Sequence, residues 1–284
     1  MAAMRISVVI PSYNRRHTLQ RALQSIFDQA SRVDEVIFVD DGSTDDSSEM
    51  VRQQFPGVIV LKQPNLGVSA ARNHGVARAR YEWIALLDSD DSWLPQKIDQ
   101  IRKAWKQQPD FVLYHSDEIW IRRGVRVNPM QKHRKCGGWI FEQCLPLCAI
   151  SPSAAVIRKS TLESLGGFDE DLPACEDYDL WLRLCHRFPV HHVAQALVTR
   201  YAGHDDQLSQ QHPVMDRFRI RALHRLVTTQ NLRPEFRQAA EAVLLSKLDI
   251  LLNGAIKHQN QPLIEEFGPL RDTWSGKNAR ASLC

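Results

Sequence analysis

No stretch of the 284-residue chain approaches the roughly 20 consecutive apolar residues that a membrane-spanning helix needs. The opening residues run straight into a strand pattern and lack the charged, apolar and small-residue blocks of a secretory signal. A cytoplasmic protein is the expectation, with contact at the inner face of a membrane left open. Charge of one sign is also scarce in excess: 36 Lys and Arg stand against 33 Asp and Glu, a net +3. That is too little to argue for a nucleic-acid partner, and none is expected. The six cysteines, Cys136, Cys144, Cys148, Cys175, Cys185 and Cys284, include no Cys-x-x-Cys pair, which removes the common zinc and redox patterns. Reduced thiols are expected of them. No Gly-x-x-x-x-Gly-Lys-Ser/Thr segment occurs, so a P-loop nucleotide site is excluded.

What the chain does have is an abrupt junction. Trp83 to Leu87 is a short apolar run that ends in Asp88-Ser89-Asp90-Asp91. Such a bounded run suits a buried strand. Side chains alternate along a strand, so Asp88 and Asp90 are expected to point the same way. Paired carboxylates repel unless a cation joins them. Mg²⁺ and its relatives take one or two carboxylates together with substrate phosphates. The plainer reading is an acidic turn ahead of a helix beginning at Pro95.

Strand and helix patterns alternate around this junction. Strands are predicted at Arg5–Ile10, stopped by Pro11, then at Glu35–Val39, Val58–Leu61, Tyr81–Leu87 and Phe111–His115. Helices are predicted from Leu19 to Phe27, after Ser43 or Thr44, over Val68–Arg80 and after Pro95. A βαβα order predicts a mainly parallel sheet with helices on both faces, and ligands bind such sheets at the carboxyl ends of the strands. Those ends carry Pro11-Ser12-Tyr13, Asp40-Asp41 and Asp88-Ser89-Asp90. Beyond Asp117 the pattern changes to a hairpin around Arg122-Arg123-Gly124, a short strand at Ala154–Ile157, and a helix capped by Ser160 and stopped at Gly166-Gly167. An acidic segment Glu176-Asp177-Tyr178-Asp179 then opens a further helix. Short strands at Val190–Val193 and Leu197–Tyr201 follow. From about Pro213 the chain reads as helical. Phe236, Ala240, Leu244, Leu248 and Leu251 form an apolar stripe that packs on the main domain or on a second copy. Arg217, Arg219, Arg221 and Arg225 make its start basic, which reads first as a solvated face.

Five segments in this order carry a resemblance: Val8-Val9-Ile10-Pro11-Ser12-Tyr13-Asn14, Val39 to Asp45, Asn65-Leu66-Gly67 with Ala70-Ala71-Arg72-Asn73, Leu87 to Asp91, and Glu176 to Trp181. Together they resemble the ordered motifs of family 2 glycosyltransferases, over about residues 4 to 210. The resemblance implies the GT-A α/β fold. The nucleotide-sugar half would span about 1–118 and the acceptor half about 119–210, with a helical extension over 211–284. It implies an inverting transfer from a nucleoside-diphosphate sugar, a UDP-sugar first of all, to a saccharide or lipid-linked saccharide.

In that pattern Asp177 is the general base with Glu176 beside it, while Pro11, Tyr13, Asn14, Asp40, Asp41, Arg72, Asp88 and Ser89 face the nucleotide. Asp90, Asp88 and His204 would hold Mn²⁺ or Mg²⁺. A carboxylate is a weak base for a hydroxyl unless burial or neighbouring acids raise its affinity for a proton, a part open to Glu176 and Asp179. Trp139 and Trp181 are candidates for an acceptor groove or for core packing. The Gln-x-x-Arg-Trp motif of processive members is missing, which favours single additions over polymerisation. A nucleotidylyltransferase would want a Gly-rich, basic loop where Pro11-Ser12-Tyr13-Asn14 stands. A binding module that has lost catalysis stays open as the alternative, and the terminal helices leave room for a homo-oligomer.

Overall fold

The computed structural model describes residues 3–128, 130–203 and 212–281. In chain order its elements are β1 (Ile6–Ser12), α1 (Arg16–Phe27), β2 (Glu35–Asp40), α2 (Ser47–Gln54), β3 (Ile59–Lys62), α3 (Val68–Arg78), β4 (Trp83–Leu86), β5 (Ser92–Trp93), α4 (Lys97–Gln107), β6 (Leu113–Arg122), β7 (Val125–Val127), α5 (Phe141–Cys144), β8 (Val156–Arg158), α6 (Lys159–Ser164), α7 (Glu176–Cys185), β9 (His191–Ala202), α8 (Asp216–Thr229), α9 (Pro234–Lys257) and α10 (Gln261–Ala281).

One sheet runs in the order β3-β2-β1-β4-β8-β6-β9-β5, with β7 paired to β6. β3, β2, β1 and β4 are parallel neighbours, and β6 and β9 run in the same sense. β8, β5 and β7 run against them, so the sheet is mainly parallel, as the βαβ alternation predicts. Alternation along β1 sends Val8 and Ile10 into a core shared with α1, α2 and α4, and Val9 into a second core on the opposite face. Gly75 of α3 lies against that second face. A Cβ there would sit 2.5 Å from Val9, so only glycine lets the helix approach this closely.

The terminal helices belong to the same packing. Phe218, Leu223, Leu244, Leu248, Phe267 and Trp274 are buried in one cluster with Phe141, Leu180 and Trp181. Each such side chain contributes about 1.5 to 3 kcal/mol by leaving water, so this face of the sheet depends on the extension for its cover. Three of the four arginines at the basic start of the extension meet carboxylates, Arg219 with Asp216, Arg221 with Glu266 and Arg225 with Asp169, while Arg217 lies 4.5 Å from the Phe218 ring centroid. No described helix is long and apolar enough to cross a membrane.

Several boundaries differ from the sequence expectation. β1 runs through Pro11, because β4 pairs only as far as Val9 and the missing N–H of Pro11 lies past that ladder. α2 begins at Ser47, so neither Ser43 nor Thr44 caps it. Asp45 takes the Ser47 N–H, and Asp46 enters the helix in a left-handed conformation. Ser160 lies inside α6 instead of capping it, while Gly166 and Gly167 end that helix with positive φ. The segment from Phe111 and the hairpin arm form one strand, β6. The two short strands after Val190 are likewise one, β9, with an irregularity opposite Ser116 to Glu118.

Candidate functional site

β4 ends at Leu86, so Asp88 and Asp90 stand in a turn and not on a strand. The Asp91 N–H closes that turn on the Asp88 carbonyl at 3.1 Å. Buried Ser153 holds it from beneath. Its hydroxyl accepts the Asp88 N–H at 3.1 Å and donates to Asp91 Oδ2 at 2.6 Å. Tyr201 N–H donates to Asp91 Oδ1 at 3.2 Å, and Arg200 lies 3.8 Å away. Burial, with Asp90 and Asp88 nearby, pushes the Asp91 carboxyl well above the usual range against the pull of Arg200. Asp91 therefore anchors the turn. Asp88 and Asp90 stay about a quarter and a fifth exposed at their side chains. Ser89 is buried between them.

Arg72 reaches this turn from the first half of α3. Its side chain is almost wholly buried. One guanidinium nitrogen lies 2.7 Å from Asp88 Oδ1 and the other 2.6 Å from Glu176 Oε1, the first residue of α7. The Phe168 ring lies 5.0 Å from the guanidinium carbon. Asn73 holds that phenylalanine by both backbone groups: it donates to the Phe168 carbonyl and accepts the Phe168 N–H, each at 2.9 Å. A planar fork gives each carboxylate its own nitrogen, where an ammonium would have to serve both from one.

The two ends of the Arg72–Glu176 pair shift in senses that do not match. Two carboxylates outweigh burial for Arg72 and raise its already high pKa. Glu176 has one shared guanidinium against complete burial and the neighbouring charge of Asp177, and it is pushed up to about 7. The upward direction for Glu176 follows from that imbalance. Beside it, Asp177 is partly exposed. Its Oδ1 accepts the Tyr178 N–H at 2.7 Å, and the Cys148 thiol lies 3.1 Å from its Oδ2. Burial and Asp177 push the Cys148 thiol well up, so it faces the carboxylate as a neutral S–H donor. Asp179 is also raised by burial, although Arg183 sits 2.6 Å from it.

The other strand ends complete the rim. Asp40 is buried at the end of β2, accepting from Ser43 N–H at 2.8 Å on one oxygen and from the Ser48 hydroxyl on the other. Asp41 takes three donors, Gln63 Nε2, Leu66 N–H and Gly67 N–H, at 2.8 to 2.9 Å. It clamps the loop that leads into α3. At the end of β1, Ser12 pairs with Asp40, Asn14 Oδ1 accepts the Thr44 N–H at 2.8 Å, and Tyr13 is 46% exposed at the edge.

Of the residues marked from sequence, Pro11, Tyr13, Asn14, Asp40, Asp41, Arg72, Asp88, Ser89, Asp90, Glu176 and Asp177 thus lie at the strand-end loops and on α3 and α7. The last links are direct, since Arg72 ties Asp88 to Glu176. His204, with Gln207 and Ser209, lies outside the described residues. Trp181 is fully buried and belongs to the core, whereas Trp139 is 48% exposed and stacks with Arg233 at 4.7 Å. Ser153, Arg200, Phe168 and Cys148 were not marked by sequence reasoning. Each is a common residue in an unremarkable context and acquires its role from a distant partner.

Among the described residues no group of three or more His, Cys, Asp or Glu could hold a metal unaided. Asp88 and Asp90 offer a pair of hard, partly exposed oxygen donors, Asp88 sharing Oδ1 with Arg72 and Asp90 with Arg15 3.8 Å from its Oδ2. That set suits a divalent ion whose remaining positions are filled by water and by the phosphates of a ligand.

A sequence model described as Glycosyl transferase family 2 matches residues 7–166. An uncharacterized glycosyltransferase of Haemophilus influenzae is 27% identical over 193 residues, covering 63% of this chain. The chain spans 61% of that relative's own length. The amylovoran biosynthesis glycosyltransferase AmsE of Erwinia amylovora is 28% identical over 215 residues, covering 70% of this chain and 77% of that protein. The crystal structure of S. aureus TarS 1-349 in complex with UDP-GlcNAc superposes with a TM-score of 0.69 at 18% identity, over 86% of this chain and 72% of that one, a likeness of fold.

Proposed function

The chain belongs to glycosyl transferase family 2, and from that membership we propose that it moves a sugar, with inversion, from a UDP-sugar to a hydroxyl of a saccharide or lipid-linked saccharide. The observation that carries this reading is the guanidinium of Arg72, 2.7 Å from Asp88 and 2.6 Å from Glu176. It brings the acids suited to a diphosphate and the acids suited to an acceptor onto one rim. The UDP-GlcNAc bound by TarS supports a uridine donor. AmsE, a glycosyltransferase of amylovoran biosynthesis, supports a biosynthetic transfer. Such donors are made in the cytoplasm, which is where we place the enzyme.

In this reading Pro11, Tyr13 and Asn14 wall the nucleotide. Asp40, with one donor already on each oxygen, keeps lone pairs to accept the N3–H of the base. Asp41 holds the loop that presents Arg72, and Ser89 packs beneath the ribose side of the acidic turn. Asp90 and Asp88, with His204 as a further ligand, would hold Mn²⁺ or Mg²⁺, which when bound offsets the charge gathering on the departing diphosphate. Arg72 fixes the Asp88 carboxylate and adds a buried positive charge behind it.

Asp177 takes the proton from the acceptor hydroxyl. That oxygen then forms its bond to the anomeric carbon while the bond to the diphosphate breaks on the opposite face, and the diphosphate leaves with the electron pair. Glu176, held by Arg72, sets the position of Asp177 at the start of α7.

Calorimetric titration with UDP, GDP, CDP and dTDP, with and without Mn²⁺, tests the donor side. Selective, Mn²⁺-dependent binding of UDP supports it, and no binding to folded protein refutes it. Asp177→Asn tests the acceptor side. Transfer should be lost while UDP binding stays, and unchanged turnover would remove Asp177 from the mechanism.

A further inference from the structure

From Ile119 to Phe141 the chain contains six of its 36 Lys and Arg and none of its 33 Asp and Glu, so the remainder is net −3. The positive character of the molecule is therefore local. It sits on the β6–β7 hairpin and the turn after it. Arg122, Arg123, Arg126, Lys132 and Arg134 are exposed. Among the described residues none of these five meets a carboxylate, whereas Arg219, Arg221 and Arg225 of α8 each do. Lys135 is the exception in the segment, turned inward to Glu118 at 3.4 Å and to the Ala149 carbonyl at 2.9 Å. Two large apolar side chains flank the free cations: Val125 is 65% exposed and Met130 is 61% exposed.

The hairpin turn is Arg123-Gly124, both at positive φ, 49° and 76°. Asparagine is the easy residue for the first of these positions. A guanidinium stands there instead, held outward at the tip. β7 pairs with β6 alone, so this arm of the hairpin lies off the main order of the sheet.

We propose that this hairpin is a docking surface for an anionic lipid bilayer. Five cations that meet no carboxylate among the described residues, all between Arg122 and Arg134, act together on a charged plane. Each basic residue near such a plane strengthens partition by about fivefold. Val125 and Met130 decide for a bilayer over a soluble polyanion. In water their exposure gains nothing, while at a headgroup layer they enter the acyl boundary beside the cations. β6 runs from this surface back to Glu118, whose partner Arg200 also contacts Asp91 under the acidic turn. A docked hairpin would thus hold the rim beside the membrane plane. The inference needs only the surface and does not rest on the transferase reading.

The test is co-sedimentation of the full chain with vesicles of phosphatidylcholine alone and of phosphatidylcholine with about one-third phosphatidylglycerol. Binding is expected only with phosphatidylglycerol, weakening as salt rises from about 0.1 M to about 0.5 M. Arg122→Glu/Arg123→Glu/Arg126→Glu should lower it by about two orders of magnitude. Val125→Ser/Met130→Ser should lower it with no change of charge. Arg78→Glu/Lys106→Glu/Lys257→Glu makes the same change of net charge at exposed sites elsewhere and should leave most of it. Unchanged circular dichroism certifies each variant as folded. Equal binding to both vesicles, equal loss in the two triple variants, or no effect of Val125→Ser/Met130→Ser would overturn the proposal. So would displacement from the vesicles by heparin at low concentration with no effect of the apolar variant, an outcome that would assign the patch to a soluble polyanion.

Discussion

The guanidinium of Arg72 lies 2.6 Å from the carboxylate of Glu176, 104 positions away in sequence, and both side chains are buried. Breaking a buried pair by removing one partner costs about 3 to 5 kcal/mol, because the other charge is left uncompensated. Arg72→Met should therefore lower stability to urea by that order at pH 8. The loss should be smaller at pH 6, where Glu176 can take a proton. Arg72→Lys should lie between, since it keeps the charge but offers one nitrogen where Asp88 and Glu176 now have one each. Equal losses at the two pH values would mean that Glu176 is not the charge Arg72 balances.

Glu176 itself gives a pH signature. Its folded pKa of about 7 lies above the ordinary 4.5, so the fold favours the protonated acid. Its contribution to stability is full below pH 4.5 and falls as pH rises through 7. The loss is at most on the order of 3 kcal/mol. Glu176→Gln cannot ionise. The stability of the variant relative to the parent should climb between pH 4.5 and 7 and then level off. Urea titrations at closely spaced pH values check this, and a flat difference would contradict the shift.

These residues show which part of the molecule was legible in sequence. Strand ends were readable because Asp40, Asp88 and Pro11 follow apolar runs of strand length, and the βαβ order fixed which edge collects them. Asp177 was marked only through the resemblance of its acidic segment to a family motif, since its place at a helix start fits a plain acidic first turn equally well. The partners were not readable. Ser153 lies in a short turn and Phe168 in a loop, and only tertiary packing brings them beneath Asp88 and Arg72. The predicted strand ended at Leu87 and the observed ladder stops at Leu86, so strand alternation does not set the directions of Asp88 and Asp90 in the turn before β5. No local periodicity marks that break. β6 and β9 were read as fragments because their irregularity opposite Ser116 to Glu118 interrupts the alternation.

Ser153 serves the acidic turn with both capacities of one hydroxyl. Ser153→Ala should leave the Asp88 N–H unpartnered and strip a donor from the buried Asp91 carboxylate. A loss of about 1 to 3 kcal/mol follows. Because the same hydroxyl positions Asp88, the Mn²⁺-dependent part of UDP affinity should fall more than the metal-independent part. Calorimetry at one temperature with and without Mn²⁺ separates the two, and an equal fall in both would make Ser153 a residue of stability alone.

The Cys148 thiol, 3.1 Å from Asp177 Oδ2, has one proton and two acceptors, the other being the Ile150 carbonyl at 3.1 Å. It reaches the carboxylate from the segment that follows α5. Cys148→Ala should lower kcat by about 3- to 10-fold with little change in donor KM, the loss of one neutral hydrogen bond. Cys148→Ser, which keeps a donor, should restore most of it. Steady-state kinetics on the two variants decide the point, and equal kcat values in Ala, Ser and parent would show that the thiol does not position the base.

Lys97 is buried at the start of α4, donating from Nζ to the Ala154 carbonyl at 3.0 Å and lying 5.2 Å from the Trp93 ring centroid. Burial depresses its pKa to about 7 from 10.5, with Glu118 only partly opposing. The unfolded chain therefore takes up this proton before the folded one as pH falls. The contribution of Lys97 to stability is full above pH 10.5, declines as pH drops towards 7, and is constant below. The total loss is at most on the order of 5 kcal/mol. Lys97→Met has no such titration and fills the same volume, at the cost of an unpartnered Ala154 carbonyl. Relative to the parent it should be less stable or equal near pH 10 and gain steadily down to pH 7. Paired urea denaturations across that window measure the difference. A difference that is constant with pH would mean that the lysine keeps its charge inside the fold.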